Sequence, residues 1–382
     1  MTRQHNVIPE KSLISEITHV ALAFMRPAVF NEAEPSSFPL FTTVERVRLQ
    51  FPPEAVIMVA VGGWGDTEGF EVAAATEESR KLFAANVKRM IDVTGADGVD
   101  IDWEYPGGNG EDYKKVPNSE KSWQIQAYPL LLSEIRSAIG KDKIMSAAVP
   151  GLPRDMIAFT ADTIPAIDSS LDFFNVMTYD LMNRRDNVTK HHTSIEASMT
   201  AMYAYEERGV ETEKMNLGFA FYIKWFKTDS KEQCRENPVS CRTALMEDPV
   251  TGADLGRAGA FSWHDPVPEE LAPSYKRAMA NGKYDNELGG YYYWDEEEEL
   301  WWSWDPPDVI AKKFPAIIDK KNLGGAFAWG LGEDADDFVH LRALNAAVRP
   351  RKDESSRAQF FNLNIDVSGL AKLSEPRSKE EL

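Results

Sequence analysis

Seven short apolar runs, rich in β-branched residues, alternate along the chain with longer segments of helical periodicity. The runs lie at residues 18–24, 56–62, 98–103, 144–149, 173–178, 216–221 and 324–329. Between them, residues 80–93 and 128–139 carry apolar side chains at the spacing of an amphipathic helix. This alternation predicts a parallel sheet with crossover helices. Strands this apolar and numerous favour a (β/α)8 barrel of the TIM type over an open sheet, because a closed barrel leaves no exposed edge.

The predicted barrel is one strand short and carries one long insertion. Residues 1–15 are polar and contain a proline, so no strand is predicted before residue 18; either the first strand precedes Met1 or the fold tolerates a gap. About 100 residues separate the last two runs, far more than a usual βα loop, which indicates an inserted α+β domain. We therefore predict a barrel domain at residues 1–221 and 305–348, an insertion domain at 222–304 and a charged, disordered tail at 349–382.

The charge balance restricts the kind of partner. The chain has 61 acidic and 42 basic residues, a formal net charge of −19, which would repel nucleic acid phosphates and anionic membrane surfaces. The apolar runs are also far shorter than the roughly 20 residues that span a bilayer. We expect a monomer with no nucleic acid or membrane partner, no cofactor and no metal.

Three small features bear on the compartment. Cys234 and Cys241 are the only cysteines; they would close a short loop where thiols are oxidised and would otherwise be free thiols. Asn187 begins a glycosylation sequon, a triplet that also arises by chance. Residues 379–382 (KEEL) are similar to the KDEL retention signal, or are a charged tail that happens to end in leucine. Together with the missing strand, these features predict a protein of the secretory pathway, extracellular or in the endoplasmic reticulum lumen.

Residues 97–104 (DGVDIDWE) place carboxylates at alternate positions of an apolar strand. Strand alternation sends Asp100, Asp102 and Glu104 to the barrel interior and the apolar residues between them to the other face. Carboxyls at this spacing lie roughly 6–7 Å apart along the strand, so repulsion raises the proton affinity of at least one. A protonated acid suits a general acid acting on a poor alkoxide leaving group. Glu104 precedes a Tyr-Pro-Gly turn signal and would stand at the carboxyl end of the strand, where barrel active sites form.

The acidic strand has two other interpretations. The acids could be solvated on an exposed edge strand, or they could bind Mg²⁺ or Ca²⁺, which favour carboxylate oxygens. The apolar residues between the acids argue against an exposed edge, and no second acidic strand or phosphate-binding loop accompanies this one. Glycosidic chemistry also explains the many aromatic residues, since sugar faces stack on tryptophan and tyrosine.

The motif Asp97-x-x-Asp100-x-Asp102-x-Glu104 resembles the signature of glycoside hydrolase family 18, the chitinases, and its wording is most similar to fungal members. The likeness extends over most of the chain. Residues 222–304 resemble the family's chitinase insertion domain. Three further segments resemble family strands, namely Val61-Gly62-Gly63-Trp64, Met177-Thr-Tyr179-Asp180 and Gly324-Gly325-Ala-Phe-Ala-Trp329.

The resemblance implies retaining, substrate-assisted hydrolysis of chitin or chitooligosaccharides. Glu104 would be the general acid and later the base. Asp102 would orient the substrate's acetamido group, Asp100 would share a proton with Asp102, and Tyr179 would hydrogen-bond the acetamido carbonyl. Structural roles would fall to Asp97, Gly62 and Gly63, and sugar contacts to Asp180, Met177, Trp329, Tyr105, Trp64, Phe24 and Tyr222. For the aromatic positions, simple packing is the alternative.

The chain departs from the family pattern at three points. Ala60 stands where the family often has serine, the family's first-strand tyrosine has no counterpart, and Ile223-Lys224 replaces a common Gly-Arg. The first two groups usually support the inner aspartates, so the charge balance of Asp100 is left open. Two other functions also remain open: a non-catalytic chitin-binding lectin, whose relatives lose the acid at the position of Glu104, and an endo-N-acetylglucosaminidase acting on N-glycans, which usually lacks the insertion.

Overall fold

The computed structural model describes residues 9–354 and 362–366. Six strands precede the insertion: β1 (His19–Met25), β2 (Val56–Gly62), β3 (Gly98–Asp102), β4 (Ile144–Pro150), β5 (Phe173–Met177) and β6 (Met215–Ala220). The insertion contains β7 (Tyr222–Lys227), β8 (Ala258–Ser262), β9 (Lys283–Asp285), β10 (Gly290–Asp295) and β11 (Leu300–Ser303). Two strands follow it, β12 (Gly325–Trp329) and β13 (Asn362–Asp366).

The helices are α1 (Lys11–Ile14), α2 (Val44–Arg48), α3 (Glu68–Ala74), α4 (Glu77–Thr94), α5 (Asn118–Lys121), α6 (Gln124–Ile139), α7 (Ile164–Ser170), α8 (Ile195–Glu206), α9 (Lys231–Glu236), α10 (Ala272–Asn281), α11 (Pro307–Lys313), α12 (Asp319–Lys321) and α13 (Val339–Glu354). A π-helical turn at Phe314–Ile318 joins α11 to α12. The two segments predicted to be helical lie within α4 and α6. Local sequence sets the ends of α4: Thr76 and Ser79 form a capping box, and Gly95 ends the helix with φ 74°.

Eight parallel strands close a barrel in the spatial order β1-β13-β12-β6-β5-β4-β3-β2. All seven predicted strands are present, each with its ends within one residue of the predicted position. The barrel prediction is therefore confirmed. The largest apolar core lies between these strands and their covering helices, where side chains such as Val99, Ile101 and Leu131 are fully buried. None of the helices in the described ranges is both long and apolar enough to span a membrane.

The eighth barrel strand comes from the far end of the chain. β13 lies between β1 and β12 and pairs in parallel with both, so that Asn364 is opposite His19 on one side and Phe327 on the other. Within residues 9–18 no strand precedes β1, and β13 fills the resulting gap. The predicted disordered tail does not hold for residues 349–354 and 362–366, because α13 reaches Glu354 and β13 is a paired strand. The sequence NLNID is too short and polar to predict a barrel strand by itself.

The five strands of the insertion form a separate antiparallel sheet in the order β8-β7-β11-β10-β9. They lie within the range predicted for the insertion, and α10 packs on them through Trp302, whose indole N–H donates to Ser274 Oγ at 2.8 Å. The insertion has apolar clusters of its own, distinct from the barrel core. The structure joins Cys234 and Cys241 in a disulfide with a Cα–Cα distance of 4.9 Å.

Replacing Asn364 by proline tests the closure of the barrel. Proline has no backbone N–H, so it removes a ladder hydrogen bond of β13 and leaves the partner carbonyl unsatisfied; we expect Asn364→Pro to lower the free energy of unfolding by roughly 1–3 kcal/mol. Thermal denaturation followed by circular dichroism measures this as a fall in Tm. Asn364→Ala keeps the N–H and is the matched control. Equal Tm values for the two variants would contradict the pairing.

Candidate active site

A cleft of about 530 Å³ opens at the carboxyl ends of the barrel strands, bounded on one side by the insertion. Of the residues predicted for catalysis, sugar contact or structure, Asp97 and Asp100 lie outside its lining. The remaining twelve line it: Phe24, Gly62, Gly63, Trp64, Asp102, Glu104, Tyr105, Met177, Tyr179, Asp180, Tyr222 and Trp329. Six stretches of the chain that are far apart in sequence thus meet in one place.

The outward face of β3 explains why its acids point inward. Trp103, directly after β3, is only 2% exposed; its ring stacks on Phe70 at 5.3 Å and meets the edge of Tyr128 at 5.9 Å. This packing fixes the apolar residues of the strand against the helices. The alternate residues, Asp100 and Asp102, therefore face the barrel interior, where each is only 5% exposed.

Asp100 lies beneath the cleft and is bonded to neighbouring strands. Ser146 Oγ donates to Asp100 Oδ1 at 2.5 Å and Asn175 Nδ2 donates to the same oxygen at 3.2 Å; Asn216 Nδ2 in turn donates to Asn175 Oδ1 at 3.0 Å. Burial raises the pKa of Asp100 to about 6, although both hydrogen bonds oppose the rise. These donors were not predicted, because each is a single polar residue in an otherwise apolar strand and carries no motif. They support Asp100 where Ala60 cannot.

Glu104 stands in the cleft one residue beyond Trp103. Burial raises the pKa of Glu104 to about 7; a hydrogen bond with the Tyr105 side chain opposes the rise, and the negative charges of Asp180 and Asp155 add to it. At neutral pH the carboxyl is therefore protonated in a large fraction of molecules. Such a group can give up a proton and later take one back.

Asp180 has the opposite electrostatics. Tyr222 Oη donates to Asp180 Oδ1 at 2.8 Å, Lys224 Nζ lies 2.9 Å from the same oxygen and His192 Nδ1 lies 3.7 Å away. Burial alone would raise the pKa of Asp180, but Lys224 and His192 outweigh it and hold the pKa well below its usual range. Asp180 is thus a carboxylate at neutral pH. His192 was not predicted, since a histidine in a loop carries no motif.

The aromatic side chains of the cleft differ in exposure. Phe24 stacks on Trp329, with ring centroids 5.2 Å apart and an interplanar angle of 17°. Trp64 is 49% exposed and meets Tyr105 at 6.3 Å, so one large apolar surface faces the open cleft. Tyr179 packs against neighbouring rings beside Met177, which is 8% exposed. These flat surfaces suit the apolar faces of sugar rings.

Two glycines allow the end of β2 to pack closely against the backbone of Asp102 and the ring of Phe24. Gly62 has φ 112°, and a Cβ there would lie 2.1 Å from the backbone oxygen of Asp102. Gly63 has φ 93°, and its Cβ would lie 2.7 Å from the Phe24 ring. Neither the positive φ nor the contact distance allows a larger residue.

At the opposite end of β3, Asp97 has a different environment. Its carboxylate accepts hydrogen bonds from Arg48 Nη2 at 2.8 Å and from the backbone N–H of Ile57 at 2.9 Å. Asp97 therefore ties the start of β3 to β2 and takes no part in the cleft.

The loop after β5 adds residues that sequence analysis missed. Arg184 and Arg185 line the cleft together with Asp155 of the loop after β4. The only sequence signal was a pair of basic residues shortly after Asp180. Asn187 lies exposed in the same loop, and its glycosylation stays a prediction. The KEEL segment, residues 379–382, lies outside the described residues.

Comparison with known proteins gives related sequences. Chitinase A1 of Niallia circulans is 27% identical over 310 residues, covering 75% of this chain and 41% of that protein. Endochitinase 1 of the fungus Metarhizium robertsii is 25% identical over 289 residues, covering 72% of this chain and 61% of that protein. The chain thus spans less than two thirds of the length of these relatives.

A crystal structure of a chitinase from the fungus Rhizomucor miehei aligns with a TM-score of 0.69 and 21% identity, covering 86% of this chain and 94% of that chain. At that identity the likeness shows the fold alone. The sequence model of a protein family, described as "Glycosyl hydrolases family 18", matches residues 1–334. Since that match covers most of the 382 residues, the chain belongs to glycosyl hydrolase family 18.

Proposed function

We propose that this protein is a chitinase that hydrolyses β-1,4-linked N-acetylglucosamine polymers with retention of anomeric configuration. The observation that carries the proposal is Glu104, a carboxylic acid in the cleft whose pKa burial raises to about 7. The names of the related chitinases support the same substrate class. The catalytic unit would be the barrel, residues 1–221 and 305–348 together with the closing strand β13, with residues 222–304 as the wall of the substrate groove.

The first step needs an acid. Glu104 in its protonated form would give its proton to the glycosidic oxygen, so that the leaving sugar departs as a neutral alcohol. The carbonyl oxygen of the substrate's own 2-acetamido group would attack the anomeric carbon from the opposite face and form an oxazolinium ring. No side chain of the enzyme forms a covalent bond with the sugar.

The charge of the intermediate accounts for the aspartates. The oxazolinium carries positive charge on nitrogen, and Asp102, which lines the cleft, would orient the acetamido N–H and stabilise that charge. Asp100, with its pKa raised to about 6, would share a proton with Asp102. Tyr179 would hydrogen-bond the acetamido carbonyl, and the permanently ionised Asp180 would accept a hydrogen bond from a sugar hydroxyl.

The second step reverses the proton flow. Glu104, now a carboxylate, would take a proton from a water molecule that opens the oxazolinium ring from the side the leaving group occupied. Two displacements at one carbon retain its configuration. Trp329 and Met177 would form the floor under this sugar, and Phe24 would support Trp329 from the side.

Two alternatives are less well supported. A chitin-binding lectin would not need an acid at position 104, whereas Glu104 here lies in an environment that prepares it for proton transfer. An endo-N-acetylglucosaminidase would share the acid, but the five-stranded insertion beside the cleft favours a long linear polymer. The disulfide between Cys234 and Cys241 supports the proposed place in the secretory pathway.

Substituting the acid tests the proposal. We expect Glu104→Gln to lower kcat on chitooligosaccharides by at least about 100-fold, the usual contribution of a general acid, while the protein stays folded. Proton NMR of fresh wild-type products should show the β-anomer first. Full activity in the variant would contradict the role of Glu104, and an α-anomer as first product would contradict the mechanism.

The pH profile tests the electrostatics. Because the acid must be protonated, kcat/KM of the wild type should fall as pH rises through about 7. Asp180 raises the pKa of Glu104 by its negative charge, so Asp180→Asn should move this alkaline limb to lower pH, besides reducing activity. Asp92→Asn, on the exposed face of α4, is the control and should leave the limb in place. A limb that moves to higher pH in Asp180→Asn would refute the coupling.

A further inference from the structure

The two walls of the cleft are joined at one end by side chains that the proposed mechanism does not use. One wall includes the loop after β3, residues 103–117, and the other is the insertion, whose residues 245–256 lie between α9 and β8. Tyr113 Oη in the first segment donates a hydrogen bond to Glu247 Oε1 in the second. These residues are 134 positions apart in sequence, so the contact ties the insertion to the barrel.

Arg184, in the loop after β5, extends this contact to the rim of the cleft. Its Nε lies 3.5 Å from Glu247 Oε2, and its Nη1 lies 3.7 Å from Asp254 Oδ2. Arg184 and Asp254 line the cleft. Glu247 is only 6% exposed, and a carboxylate so deeply buried is costly without partners. We refer to Tyr113, Glu247, Arg184 and Asp254 together as the bridge.

The barrel side of the bridge is held in place by Arg185. Its guanidinium donates to two backbone oxygens of the loop after β3 at 2.9 and 3.0 Å and lies 3.8 Å from the centroid of the Tyr113 ring. Beside the bridge, a Cβ on Gly252 would lie 2.9 Å from Lys114 Cγ, so the two loops are in direct contact. They therefore leave no room for a sugar chain between them at this point.

The bridge stands on the side of the leaving sugar. In the closed barrel three strands separate β3 from β12 in either direction, so the loop after β3 lies across the barrel mouth from Trp329. The proposed mechanism places the sugar under attack over Trp329 and the acid, Glu104, at the end of β3. The oxygen that Glu104 protonates would face the loop after β3, and the leaving sugar would lie between Glu104 and the bridge.

We propose that the bridge closes the leaving-group end of the cleft, so that the protein cuts short pieces from the reducing end of a chitin chain. To cut within a long chain, the groove must be open on both sides of the cleavage point, whereas this cleft of about 530 Å³ has the volume of a small-ligand pocket. The bond breaks at the anomeric carbon of the sugar over Trp329, so the leaving piece carries the reducing end. The inference rests on the proposed function for the substrate and the reaction.

Hydrolysis of chitohexaose in water enriched in ¹⁸O tests the closed end. Water supplies the new anomeric oxygen, so the fragment from the non-reducing side gains ¹⁸O and the leaving fragment stays unlabelled. Mass spectrometry of the first products, taken before the anomeric oxygen exchanges, gives the length of each kind of fragment. In wild type the unlabelled fragment should be the shorter of each pair.

Variants that open the bridge should lengthen the unlabelled fragments. Tyr113→Phe keeps the ring but loses a hydrogen bond to a charged group, which raises the population of the open bridge about tenfold and the yield of longer unlabelled fragments by up to the same factor. Glu247→Ala also loses the contact with Arg184 and should have a larger effect. Lys115→Ala, at an exposed position of the same loop after β3, is the matched control and should keep the wild-type pattern.

The outcomes separate this inference from the proposed function. Short unlabelled fragments from wild type, lengthened in both bridge variants, support it. Wild-type unlabelled fragments that are mostly as long as their partners or longer overturn it. So does an unchanged pattern in folded Tyr113→Phe and Glu247→Ala, or equal lengthening by Lys115→Ala. These failures leave the proposed function intact, whereas a wild type that cleaves no chitooligosaccharide overturns the proposed function and this inference with it.

Discussion

The burial of carboxyl groups on the inward face of β3 is the constraint on which the site depends. A carboxylate inside a barrel is stable only where neighbouring strands supply donors or where it takes up a proton. Asp100 meets both conditions, because Ser146 and Asn175 donate to it and its pKa is raised to about 6. The buried carboxyl of Asp100 therefore explains why Ser146 and Asn175 stand in otherwise apolar strands. The packing of Trp103 against Phe70 fixes which residues of β3 face inward, and it thereby also fixes the position of Glu104.

The same cleft holds two carboxyls with opposite proton affinities. Glu104 has burial and two negative neighbours, whereas Asp180 has Lys224 and His192 close to one oxygen. Separation of pKa values in this way lets one carboxyl exchange protons near neutral pH while the other stays a fixed negative charge. Lys224 comes from the first strand of the insertion, so the insertion contributes to the electrostatics of the barrel site as well as to its wall.

Much of the fold and part of the site could be predicted from the sequence, because they depend on patterns within short segments. Apolar runs predicted seven strands, and two-residue alternation predicted which carboxyls face inward. What the sequence did not predict depends on contacts between distant segments. β13 forms a strand because it pairs with β1 and β12, which flank it. Asp155 and Arg185 line the cleft because the loops after β3, β4 and β5 converge there. Neither kind of contact has a local signature in one sequence.

The closure of the barrel by β13 has a consequence for synthesis. His19 and Asn364 are far apart in sequence, yet they are paired neighbours, so β1 has an open edge until β13 has been synthesised and has docked. The same two strands that β13 joins carry Phe24 and Trp329, which stack at the cleft floor. The cleft floor is therefore completed only when β13 docks between β1 and β12, and until then the folding protein must protect an unpaired strand edge.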